Sequence, residues 1–136
     1  MLAERGAILV CGGRGGVMEA ACRGAHAAGG LTIGLLPGSN PEEGNPYLSV
    51  AIPTGLGHAR NIFVAKAGRA MIAIGGGYGT LSEVAMALVD GRPVIGLETW
   101  QASRCDGYQA EIMAVQTPGD AVELALSMGR DDAEGI

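Results

Sequence analysis

The sequence predicts an α/β fold, a doubly wound parallel sheet with helices on both faces, and three observations carry that expectation. Short apolar runs alternate with segments of helical spacing, the arrangement that gives parallel strands joined by crossover helices. Each run is continuous rather than alternating, the pattern of a strand covered on both faces. The 24 glycines cluster where runs pass into helices, as tight strand-to-helix turns do in Rossmann-like domains. With 136 residues the chain is read as one such domain, spanning 1–136.

The elements follow in order. A strand is expected over Ala7 to Cys11, then a turn through Gly12, Gly13, Gly15 and Gly16, then a helix over Val17 to Ala28. Leu31 to Leu36 is the next strand. The stretch from Pro37 to Gly57 is long for a bare loop; it opens with the turn-forming SNPEEGNP and carries alternating Leu48, Val50 and Ile52, so a short strand is expected inside it. A helix over about Ala59 to Ala67 has the apolar stripe Ala59, Ile62, Phe63 and Ala67.

Ala70 to Ile74 forms a strand that leads through Gly75, Gly76, Gly77 and Gly79 into a helix over Leu81 to Val89, with Leu81, Val84, Ala85 and Leu88 on one stripe. Pro93 to Leu97 is a further strand, and Trp100 to Gln109 has no pattern. Thr117, Pro118 and Asp120 have the N-cap, first-turn proline and early acid of a helix leading into Ala121 to Met128. The polar tail from about Gly129 is expected to fray.

The net charge of −5 argues against nucleic acid or a membrane surface as partner, because both attract basic patches. A small anion remains compatible, since backbone N–H groups bind it without net positive charge. Cys11, Cys22 and Cys105 are odd in number and lack CxxC spacing, so no disulfide framework and no metal site is indicated. The N-terminal apolar run is too short for a leader or a membrane span, which places the chain in the cytoplasm. His26 and His58 are isolated and read as surface or capping residues, and the six methionines read as core filler.

In a doubly wound sheet both glycine turns, VCGGRGGVMEAA and IAIGGGYGTLSE, should open at the carboxyl edge of the strands, where free N–H groups and helix dipoles attract an anion. Neither turn is a GxGxxG or a P-loop: the third glycine of the former would fall at Met18, and the latter's lysine is absent. The alternative is that the glycines only let strand and helix pack closely. Glu83 has two explanations as well. Thr80 and Glu83 match the T-x-x-E capping box, or Glu83 presents its carboxylate to a ligand. Taken alone, Arg60 is a solvated helix residue.

Together, GGRGGVMEAACRGAHAAGG, the Arg60 helix and GGGYGTLSE resemble the Lonely Guy (LOG) family, also described as lysine-decarboxylase-like, over about Glu4 to Leu97. The family signature is a PGGxGTxxE turn preceded by an Arg-Lys pair, and Arg60 lies fifteen positions ahead of Gly75, at the signature's proline position. The resemblance implies hydrolysis of the N-glycosidic bond of a purine nucleoside 5′-monophosphate to free base and ribose 5-phosphate, with no cofactor. It makes Arg60 and Glu83 the catalytic pair and gives Gly12, Gly13, Gly15, Gly16, Gly75, Gly76, Gly77, Tyr78, Gly79 and Thr80 to binding the phosphorylated ligand. It also implies a homo-oligomer. Asn61 replaces the signature's lysine and Gly75 its proline, and the chain begins at what would be the end of the family's first helix, so the sheet is expected without the family's first strand. The wording GGRGGVMEA, LPGSNPEEGNPY and AIGGGYGTLSE is similar to a bacterial branch that includes molybdenum-cofactor carrier proteins. That branch implies the alternative function, storage of a phosphorylated pterin, the molybdenum cofactor, without cleavage.

Overall fold

The computed structural model describes residues 1–131. The chain divides into two compact units, Met1–Ala67 and Gly68–Ile136, each built on its own three-stranded parallel sheet. The α/β class and the parallel pairing are those expected, with the strands distributed over two sheets.

In the first unit the sheet runs in the order β1 (Leu9–Cys11), β2 (Thr32–Leu36), β3 (Val50–Pro53). Leu9 pairs with Thr32 and Ile33 with Val50. Helix α1 (Val17–Ala27) joins β1 to β2 and buries Cys22 and Ala25, three residues apart on one face. The strand expected inside the Pro37 to Gly57 stretch is β3, an edge strand that ends on Pro53, where a missing N–H costs the ladder nothing. Polar groups fasten the rest of that stretch. The fully buried Thr32 hydroxyl donates to the Tyr47 carbonyl at 2.7 Å and accepts from the Ser49 N–H at 2.8 Å, while the Thr32 N–H donates to Ser49 Oγ at 3.0 Å.

Helix α2 (Arg60–Ala67) corrects the expected stripe: Asn61 and Ala65 are buried, while Ile62, Phe63 and Ala67 are exposed. The small Ala65, one turn on from Asn61, faces inward where α2 packs on β1 and β2, and the larger apolar groups are turned outward.

In the second unit the order is β4 (Met71–Ile74), β5 (Val94–Leu97), β6 (Ile112–Val115), with β5 central and buried at every position. Strand β6 was not among the expected elements; its four residues carry too little periodicity alone and acquire their state by pairing Val94 with Ile112 and Ile95 with Met113. Helix α3 (Tyr78–Val89) starts three residues earlier than expected and buries Val84 and Ala87. Helix α4 (Pro118–Asp131) begins as its start signal required, with the Asp120 N–H donating to Thr117 Oγ1 at 3.1 Å. Its Ala121 and Ala125 pack with Ile95, flanked by Ile72, Met113, Val115 and Leu124. The frayed tail expected from Gly129 is corrected to helix through Asp131, because Gly129 is buried over Arg69 and Ala70; residues 132–136 lie outside the described residues.

Replacing Thr32 by Val keeps the shape and the backbone bonds to Ser49 but removes the hydroxyl that donates to the half-buried Tyr47 carbonyl. We expect a loss of about 1–3 kcal/mol in urea unfolding. A loss no larger than that of an exposed Thr→Val control refutes the fastening role.

Candidate anion-binding glycine turns

The first turn connects β1 to α1. Gly16 is the N-cap of α1 at φ 67° and ψ −132°, a conformation that L side chains avoid, and no side chain caps the helix. The first N–H groups of α1 therefore have no side-chain acceptor, and Cβ atoms placed at Gly15 or Gly16 would meet no described atom within 4 Å. These are the conditions for anion binding at a helix start. Glu19, in the same first helical turn, favours the helix dipole from its own side chain.

Gly12 and Arg60 are brought together. A Cβ at Gly12 would run into Arg60 Nη1 and lie 2.9 Å from Arg60 Cζ and from Met18 Sδ, so the guanidinium rests against the glycine backbone. Arg60 is half-buried there, which corrects its reading as a solvated helix residue. Its Nη1 donates to Asn61 Oδ1 at 2.9 Å, and Asn61 is only 8% exposed. The amide thus orients the guanidinium in place of the signature's lysine, at a position too buried to hold a second cation cheaply.

Asn45, which the sequence did not single out, fastens this turn. Its N–H donates to the Gly13 carbonyl at 2.9 Å, its Nδ2 donates to the Arg14 carbonyl at 3.1 Å, and its Oδ1 accepts from the Tyr47 N–H at 3.1 Å. Only an alignment or the three-dimensional contact reveals such a residue, because Asn in SNPEEGNP already has a sufficient local role as a turn former.

Gly77 is the N-cap of α3, again without a side-chain cap. Thr80 is the third residue of the helix rather than its N-cap, so the expected T-x-x-E capping box is not formed; the Thr80 side chain instead lies against Gly76, whose φ is +93°. Glu83 is half-buried on the second turn of α3. Gly75, at the signature's proline position, has φ +51° and donates its N–H to the Leu97 carbonyl at 3.2 Å, neither of which proline permits. The loop after β5 clamps this turn: Thr99 Oγ1 donates to the Gly75 carbonyl at 2.7 Å, and Trp100 Nε1 donates to the Gly77 carbonyl at 3.1 Å. Tyr78, exposed at the helix start, stacks on Trp100 with ring centroids 5.8 Å apart.

Among the described residues no group of His, Cys, Asp and Glu has the makings of a metal site. Cys11 closes β1 with its Sγ 3.5 Å from that of Cys22 and accepts from the Gly13 N–H at 3.3 Å. Burial pushes its pKa up to about 12, against the pull of the Gly13 N–H and the Arg60 charge, so at neutral pH it is a thiol rather than a thiolate. The stabilising preference for the thiol is complete below the ordinary value of 9.0 and is lost as pH rises through about 12. Unfolding free energy is expected to fall across that window, with Cys11→Ala removing part of the fall; equal slopes in the two proteins would show that the thiol does not contribute.

Comparison with known proteins gives a consistent family. A protein of Archaeoglobus fulgidus with no assigned function is 44% identical over 128 residues, spanning 93% of this chain and 80% of its own. A probable cytokinin riboside 5′-monophosphate phosphoribohydrolase of Oryza sativa subsp. japonica is 34% identical over 116 residues, 83% of this chain but 47% of its own. The molybdenum cofactor binding protein of Rippkaea orientalis superposes with a TM-score of 0.82 at 38% identity, over 93% of this chain and 80% of that one. The molybdenum cofactor carrier protein of Chlamydomonas reinhardtii gives 0.81 at 36% identity over the same shares. The family model described as SLOG cluster4 matches residues 1–124, and the chain belongs to that family, within the LOG-like superfamily that includes the molybdenum-cofactor carriers.

Proposed function

We propose that this protein is a carrier that binds a phosphorylated pterin of the molybdenum-cofactor type and releases it unchanged. The observation that carries the reading is the Arg60–Asn61 pair: the hydrolase signature's second cation is replaced by a buried amide that holds Arg60 against Gly12. In the first unit one oriented guanidinium and the uncapped start of α1 offer donors to a phosphate, and neither requires a reacting group. The likeness to two molybdenum cofactor proteins at 36–38% identity supports the same reading. The pterin's phosphate falls to Gly12, Gly13, Gly15 and Gly16 or to Gly75, Gly76, Gly77, Tyr78, Gly79 and Thr80.

A second reading, hydrolysis of a purine nucleoside 5′-monophosphate, is favoured by Glu83, which keeps the signature position and is half-buried on α3. In that reaction Glu83 takes a proton from water as the water oxygen bonds to C1′. The N-glycosidic bond breaks and its electron pair leaves with the base, which is then protonated. The relative from rice supports this alternative.

No described helix is long and apolar enough to cross a membrane, and a cytoplasmic location is part of the proposal. Self-association is part of it too. In the first unit Ile52, Leu56 and Phe63 are 43%, 47% and 52% exposed and, with Leu35, line an apolar groove of about 380 Å³.

The deciding experiment incubates purified protein with AMP and an N6-substituted AMP and follows release of free base by chromatography, beside extraction of bound pterin detected by fluorescence. The carrier reading predicts pterin in the extract and no base release. Base release by the wild type that is abolished in Glu83→Ala would replace it with the hydrolase. Sedimentation velocity tests the groove: Phe63→Glu should convert an oligomer to a monomer, and a wild type that sediments as a monomer refutes self-association.

A further inference from the structure

We propose that the cavity at the carboxyl ends of β5 and β6 is a ring-binding subsite in which Glu98 reads the 2-amino-4-oxo edge shared by pterins and guanine. The inference rests on the phosphorylated-heterocycle reading above and names the part of the ligand that the glycine turns do not contact. The cavity holds about 340 Å³, within the range of small-molecule sites, and lies where parallel sheets place their ligands. Its walls include Glu98, Trp100, Gln101, Gln109 and Gln116, a carboxylate and three amides beside an indole.

Glu98 is the one non-glycine described residue with positive φ, at 49°. That conformation is unfavourable for a side chain and persists only where its surroundings impose it. Here the two following residues do so, because Thr99 and Trp100 are pinned to the carbonyls of Gly75 and Gly77. The fold therefore holds a carboxylate at the mouth of the second glycine turn in a backbone state that glycine would occupy at no cost. No hydrogen bond or ion pair among the described residues engages the side chains of Glu98, Gln101, Gln109 or Gln116, so their polar groups are open to a ligand in the cavity.

A carboxylate presents two acceptors side by side. The edge that matches it has two adjacent donors, a ring N–H and an exocyclic NH₂, as in the 2-amino-4-oxo pyrimidine ring of pterins and guanine. Adenine offers one donor beside an acceptor and leaves a carboxylate oxygen facing a lone pair. The glutamine amides can serve the 4-oxo group and ring nitrogens, and the Trp100 indole, stacked on Tyr78, gives a flat aromatic wall.

The test titrates the full chain with GMP and with IMP, which differ only by the 2-amino group, in wild type, Glu98→Gln and Glu98→Gly, with inorganic phosphate as a third probe. Wild type should bind GMP about tenfold or more tightly than IMP. Both variants should bring that ratio close to one while leaving phosphate affinity unchanged. Glu98→Gly should also raise the melting temperature, because it relieves the φ at this position. Equal GMP and IMP affinities in wild type, or a ratio that survives both variants, overturn the subsite and leave the phosphate reading standing. Failure of all three probes to bind overturns both.

Discussion

A glycine turn leaves helix N–H groups open but cannot hold its own shape, and that constraint organises the chemistry of both units. Glycine has the widest conformational freedom of any residue, so an N-terminus capped by Gly16 or Gly77 gains accessibility at the expense of order. Order is returned from elsewhere in the same unit. Asn45 fixes the carbonyls of Gly13 and Arg14, and Thr99 and Trp100 fix those of Gly75 and Gly77. In each case the fastening groups take carbonyl acceptors and leave the helix-start donors open. Helix α4, whose start is capped by Thr117, shows the ordinary arrangement in the same chain.

The guanidinium of Arg60 is organised by the same economy. Gly12 provides a surface without a Cβ, and Asn61 provides an acceptor that is itself buried, so the cation is held in a fixed direction. A net charge of −5 does not work against the proposed site, which would draw its anion affinity from oriented N–H dipoles and a single placed charge rather than from the bulk field of the protein. At Gly75 the departure from the family signature is equally physical: the backbone there uses both a left-handed φ and an N–H donor, so glycine is required by geometry.

Much of the fold was legible. Continuous apolar runs identified four of the six described strands and the alternation of Leu48, Val50 and Ile52 a fifth, and the Thr117-Pro118-Asp120 signal placed the start of α4 because it is a local hydrogen bond written in adjacent residues. Strand β6 escaped because four residues hold too little periodicity to separate a strand from a loop. The face of α2 was misread because its most apolar residues, Ile62 and Phe63, are on the outside, and the inward positions are taken by a polar Asn61 and a small Ala65.

What the sequence determined by itself was therefore whatever depends on neighbours along the chain: element type, parallel α/β class, the two glycine turns and the family resemblance carried by them. Tertiary structure alone decided which loops fasten those turns, that Thr80 is inside α3 rather than at its cap, that Arg60 lies on Gly12, and that Glu98 is held in a strained conformation beside a cavity. The reason is distance along the chain. Asn45 meets Arg14 across 31 positions and Thr99 meets Gly75 across 24, and no local preference of either partner encodes the other.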